Sequence, residues 1–77
     1  MDEERKKMVM KAFGLHLKQI REDKGISLRI LEQLSDVDHS QIHRIEKGDS
    51  APSIVTLTAL AEALKISLTE LVDFKKD

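Results

Sequence analysis

Cysteine is absent from the 77 residues, which excludes a disulfide framework, a thiolate zinc site and a cysteine nucleophile. Tryptophan and tyrosine are absent as well, and two phenylalanines are the whole aromatic content. Leu, Ile, Val and Ala must therefore build the core. The longest stretch without a charged residue, Ser50 to Ala61, is interrupted by Ser50, Pro52, Ser53, Thr56 and Thr58. A membrane span needs about 20 predominantly apolar residues, and none is present. Met1 to Lys7 is charged and no apolar run follows it, so no secretory leader is expected and the cytoplasm is the expected compartment. Neither sign of charge is in excess: 13 Lys plus Arg against 14 Asp plus Glu leave a net charge of −1. The total does not suggest a polyanion partner, and the basic side chains do not cluster into a patch.

What is present is 40% hydrophobic and 35% charged sequence with a single proline. That is an aliphatic core under a charge-rich surface, in a chain with room for one small soluble domain. No repeat or low-complexity segment divides it.

The spacing predicts five short helices and no strand. The first runs from about Met8 to Lys24, with Phe13, Leu17 and Ile20 at i, i+4, i+7 on one face. Met1 to Lys7 before it is a charged tail or an extension of that helix. Lys24-Gly25 gives a basic last turn and a C-terminal glycine. The second helix is capped by Ser27 and carries Leu28, Leu31 and Leu34 to about Ser35. Asp36-Val37 is a connector so short that the next helix must cross steeply. The third starts at Asp38, where Asp38 and Gln41 have the spacing of a capping box. Ile42 and Ile45 face inward and Lys47-Gly48 ends it. Ser53 caps the fourth, lined by Ile54, Leu57, Leu60, Ala61 and Leu64. Ser67-Leu68-Thr69-Glu70 is a full S-x-x-E capping box for the fifth. His16 falls off the stripe of the first helix and is expected to meet solvent.

A helix, a very short turn and a steeply crossed second helix is the helix-turn-helix layout. Its second helix fits the major groove, where each base pair shows a distinct pattern of donors and acceptors. With Ile42 and Ile45 pointing in, His39, Ser40, His43, Arg44 and Lys47 point out and Gln41 lies near the edge. Arg44 is the strongest base-reading candidate, because a guanidinium bridges guanine O6 and N7. Polar residues on a helix exterior usually just meet water, so this face alone is weak evidence.

The whole-chain pattern is more specific. From Phe13 to Phe74 the sequence resembles the phage-repressor and Cro-like, XRE-type helix-turn-helix family. The matching residues are Ile20-Arg21, Gly25-Ile26-Ser27, Leu31, Val37, Ser40, Ile42 and Arg44-Ile45-Glu46-Lys47-Gly48. Pro52-Ser53, Leu57, Ala61-Glu62-Ala63-Leu64 and Ser67-Leu68-Thr69-Glu70-Leu71 complete the run. The resemblance implies an all-α, five-helix, lambda-repressor-like domain over residues 8–74, between the segment 1–7 and a tail at 75–77. It implies base contacts from His39, Ser40 and Arg44, helped by Gln41 and His43. It implies phosphate contacts from Ser27, the Leu28 amide and the turn from Lys47 to Ser50. An ion pair between Arg21 and Glu46 is implied as a structural tie between the first and third helices. The family's two-fold contact maps onto the apolar stripe Leu68, Leu71, Val72 and Phe74, whose bland reading is closure of the monomer core.

Three departures stand out. Leu28 sits where members commonly carry glutamine, so a side-chain phosphate contact is lost. Glu32 sits where the helix crossing usually has alanine or glycine, and its stem must bend outward or widen the crossing. Asp36 replaces a frequent glycine, mildly, because Asp tolerates left-handed backbone angles. Between Ser27 and Gly48, Arg29, Arg44 and Lys47 face Glu32, Asp36, Asp38 and Glu46, which predicts modest nonspecific affinity for nucleic acid.

Two sharper readings are weak. His39 and His43 at i, i+4 resemble half a zinc site, but no third ligand is placed and the resemblance commits Glu46 to Arg21. No metal or other cofactor is expected. Ser40 has no activating histidine–carboxylate partner and the chain leaves little volume for a substrate pocket, so no enzyme is expected. The reading is a stand-alone, sequence-specific transcriptional regulator, in sense a repressor, that binds double-stranded DNA as a homodimer. It would read a pseudo-palindromic operator with the helix at about 38–47, without a small-molecule effector or a membrane. A phage-type repressor or a restriction-modification controller fits that description. The alternative is an antitoxin-like or adaptor module whose helix-turn-helix mainly docks a protein partner.

Overall fold

A computed structural model of the chain describes residues 1–75. Five helices follow one another: α1 (Glu3–Asp23), α2 (Leu28–Ser35), α3 (His39–Glu46), α4 (Ile54–Leu64) and α5 (Leu68–Leu71). No strand occurs among the described residues, so the fold is all-α. Residues 76 and 77 of the expected tail lie outside the description.

Each helix starts where a short polar side chain can accept an orphan amide. Asp2, Ser27, Asp38, Ser53 and Ser67 are the five N-caps, each with a side-chain oxygen accepting from a backbone N–H of the first turn. Such a cap contributes about 1 kcal/mol. Ser67 and Glu70 form the reciprocal capping box. Asp38 does not: its carboxylate accepts from the Ser40 N–H and hydroxyl, and Gln41 gives no reciprocal bond among those of the described residues. α1 begins at Glu3 rather than Met8, so residues 3–7 are helix. Asp2 as cap and Glu3 and Glu4 in the first turn supply the signal there, because carboxylates suit a helix N-terminus.

The helix ends explain two breaks. Asp36 after α2 and Lys65 after α4 both take the left-handed conformation, with φ of 61° and 59°. Asp36 thus accepts the backbone that glycine would take more readily. Gly48, after α3, has φ 80°, and a Cβ there would also come within 2.6 Å of Lys11 Cγ.

Leu17, Leu31, Ile42, Ile45, Leu60, Leu64 and Leu71 are fully buried, one or two from every helix. α1 packs on α3, α2 on α3 and α4, and α4 on α5. Two apolar positions expected inside are not. Leu34 is 56% exposed and Ile54 63%, because α2 turns only its Leu31 side to the core and α4 enters it only after its first turn. Phe74 instead folds back edge-on to Phe13, with ring centroids 5.5 Å apart. His16 is half-buried, with Nε2 3.1 Å from the Glu70 carbonyl oxygen and its ring beside Phe74. It ties α1 to α5 and does not meet solvent alone.

Candidate nucleic-acid interface

α3 is held from three sides, by α1 at its C-terminal end, by the turn that precedes it and by α2 at its start. At its C-terminal end α1 crosses so closely that a methyl on Gly14 would lie 2.5 Å from the Glu46 carbonyl oxygen, and closer still to that of Ile45. Beside that crossing Arg21 grips Glu46 with two parallel bonds, Nε to Oε2 at 2.7 Å and Nη2 to Oε1 at 2.9 Å. Its Nη1 donates to the Ile26 carbonyl at 2.8 Å. Both side chains are buried, and the bond to Glu46 raises the guanidinium pKa against the opposing effect of burial. The implied ion pair is therefore present, and it also fixes the turn leading into α2.

The turn between α2 and α3 is pinned by Ser35, whose hydroxyl donates to the Leu31 carbonyl at 2.6 Å and accepts the Val37 amide at 3.1 Å. Val37 is buried beneath it. Glu32 neither simply bends outward nor disrupts the crossing. Its carboxylate reaches the start of α3, accepting from the His39 amide at 3.3 Å, with its other oxygen 3.3 Å from His39 Nδ1. Spacing alone gave no sign of this, since the contact depends on how the turn reverses the chain. Glu32 and Asp38 thus put two carboxylates at the N-terminus of α3, where the helix dipole favours them. Hydrogen bonds from Ser40 hold the Asp38 carboxyl below its ordinary pKa. The contribution of that cap is complete above the usual aspartate range and is lost as pH falls through the depressed value.

The outward face of α3 now divides. His43 and Arg44 are exposed, and no side-chain hydrogen bond engages either among the described residues. Ser40 is exposed but its hydroxyl is bonded to Asp38. His39 is half-buried against Glu32, and Gln41 is half-buried. Glu32, Asp38 and His39 offer ligand atoms within 4.8 Å of one another, but capping already occupies both carboxylates. This grouping differs from the His39–His43–Glu46 set weighed from spacing, in which Glu46 is committed to Arg21.

Of the phosphate candidates, Ser27 is exposed and accepts the Ile30 amide at 3.1 Å. The amides of Leu28 and Arg29, in the first turn of α2, have no intrahelical partner by construction. Lys47 is exposed, with its ammonium 3.4 Å from Asp49. The amides of Lys47, Gly48 and Asp49 donate to carbonyls of α3, which leaves Ser50, half-buried, as the next amide of the turn. The stripe offered for self-association is mostly used within the monomer. Leu71 is fully buried, Leu68 and Phe74 are half-buried, and Val72 alone of the four is exposed. Leu71 is thus a core residue, not a surface one.

Residues 17–71 match the HTH_3 family, described as helix-turn-helix. The chain belongs to the XRE-type helix-turn-helix family. Family members are DNA-binding transcription regulators. This family member is 39% identical over 57 residues to the HTH-type transcriptional regulator PuuR of Escherichia coli, covering 74% of this chain but 31% of that protein. It is 32% identical over 62 residues to an HTH-type transcriptional regulator, y4dJ, of Sinorhizobium fredii, covering 80% of each. The chain thus spans about a third of PuuR and most of y4dJ. Among solved structures it is similar to the restriction-modification controller protein C.AhdI of Aeromonas hydrophila. That match has a TM-score of 0.78 and 37% identity over 80% of this chain and 94% of the controller. No helix among the described residues is long and apolar enough to cross a membrane.

Proposed function

We propose that this chain is a sequence-specific repressor that docks α3 in the major groove, with Arg44 as its principal base reader. The observation that carries this reading is the split face of α3. Ile42, Ile45 and Glu46 anchor it from inside, while Arg44 and His43 stand exposed at its middle. A guanidinium so placed suits the paired acceptors of guanine, and an imidazole offers either a donor or an acceptor. The amides opening α2 and the turn at Lys47 to Ser50 would hold phosphates on either side of the groove and fix the register.

The regulator works as a homodimer in this reading. Each copy reads one half of a pseudo-palindrome, with half-sites about one helical turn, roughly 34 Å, apart. Val72, together with Ile54 and Val55 on α4, supplies the exposed apolar surface for self-association. A sedimenting species of twice the chain mass at micromolar concentration is expected; a monomer there removes the two-fold operator. Similarity to a restriction-modification controller over nearly its whole length supports a regulatory role.

Selection of bound sequences from random duplexes tests the reading. The expected result is an enriched motif with two-fold symmetry. Arg44→Ala is expected to relax preference at one base position per half-site, at a cost of about 1–3 kcal/mol there. Failure of any motif to emerge favours the adaptor reading, for which the net charge of −1 is the supporting fact.

A further inference from the structure

We propose that the N-terminal half of α1 is a second grip on the DNA backbone, in which Lys7 and Lys11 neutralise phosphates next to those held by the turn after α3. The inference rests on the DNA-binding reading above and extends it to residues that the family match does not reach. That match begins at residue 17, whereas α1 begins at Glu3, so Lys7 and Lys11 lie outside the matched residues.

Its placement follows from one helix face. Lys7, Lys11 and Gly14 follow one another at i, i+4, i+7, the spacing that stacks side chains on one side of a helix. Gly14 touches the last carbonyls of α3, and Lys11 lies against Gly48 in the turn that follows. One turn further out, Lys6, Lys7 and Lys11 line a shallow groove with Met10, Gly48 and Asp49, closed by Glu3. The close crossing at Gly14 therefore aims the lysine-bearing turns of α1 along the flank of the same loop that presents Lys47 and Ser50.

Charge at this groove favours an anion. Three lysines line the groove against two acidic residues, Glu3 and Asp49, and Asp49 is already engaged by Lys47 at 3.4 Å. Between Ser27 and Gly48 the three cations Arg29, Arg44 and Lys47 stand against the four carboxylates of Glu32, Asp36, Asp38 and Glu46, so this segment has little electrostatic hold on a duplex by itself. Lysines contributed by α1 offset that shortage without adding base contacts, because an ammonium on a flexible stem neutralises phosphate but reads no sequence. A competing role, in which the lysines only complement the carbonyl end of α3, predicts an effect on stability alone.

The salt dependence of binding to the selected duplex separates these. Each phosphate neutralised adds about 0.9 to the slope of log affinity against log salt. Lys7→Gln and Lys11→Gln are each expected to lower that slope by about 0.9, and the double variant by about 1.8, with the ranking of bound sequences unchanged. Arg5→Gln, also exposed but on the other side of the same helix, is expected to leave the slope as it was. Slopes equal to that of the unaltered protein in both variants, or an equal loss in Arg5→Gln, overturn the proposal. The unaltered protein binding DNA while the variants keep its slope sinks this inference alone; no binding by the unaltered protein sinks the function with it.

Discussion

Replacing Glu46 by alanine is expected to lower the unfolding free energy by about 3–5 kcal/mol, because it leaves the buried Arg21 guanidinium without its counter-charge. Arg21 is 7% exposed and Glu46 6%, so water cannot substitute for the lost oxygens. Only the bond to the Ile26 carbonyl, at 2.8 Å, would remain. The reverse change, Arg21→Ala, is expected to cost a similar amount by stranding the carboxylate. Replacing both at once by apolar residues of matching volume should cost far less than the two single changes added together, since neither charge is then left alone. Denaturant unfolding of the four proteins checks this. Single variants within 1 kcal/mol of the parent, on the order of an exposed pair's contribution, would mean that solvent reaches the pair.

Gly14→Ala is the second large effect, and its sign opposes local propensity. Alanine in a helix interior is favoured over glycine by about 1 kcal/mol, so a solvent-facing position would gain. Here the new methyl would stand 2.5 Å from the Glu46 carbonyl oxygen, and backbone cannot yield as a flexible side-chain tip can. α1 must move off α3, opening the layer where Phe13 and Leu17 meet Ile42 and Ile45. Overpacking of this kind costs about 1–3 kcal/mol and sometimes more. A fall in midpoint denaturant concentration is expected, with weaker DNA binding because α3 loses its support. A rise in stability would show that the two helices do not approach this closely.

How much of this was legible beforehand depended on the kind of interaction. Helices announce themselves through local chemistry: Ser27, Asp38, Ser53 and Ser67 were readable as caps, and Ile42, Ile45, Leu60 and Leu64 as core from their spacing. The start of α1 was placed late because its first turns lack apolar periodicity, although Asp2 followed by two glutamates was a usable sign. Leu34 and Ile54 fit a helical period, but a period does not say how far each neighbouring helix extends to cover it. Leu71 and Phe74 were open to two readings for the same reason, and the monomer uses both. The Arg21–Glu46 pair came from the family pattern, since no local rule joins residues on separate helices. Gly14, His16 and Glu32 act through contacts across the fold or its turn, so only the folded chain reveals them.

The most direct test of the account is to follow backbone amide chemical shifts as the selected duplex is added. The account predicts that the largest changes fall on Ser27 to Arg29, on His39 to Arg44 and on Lys47 to Ser50. Amides around Val55 and Glu62 should stay nearly still when the oligomeric state is unchanged. Shifts concentrated on α4 and α5, with the Arg44 face undisturbed, would contradict it.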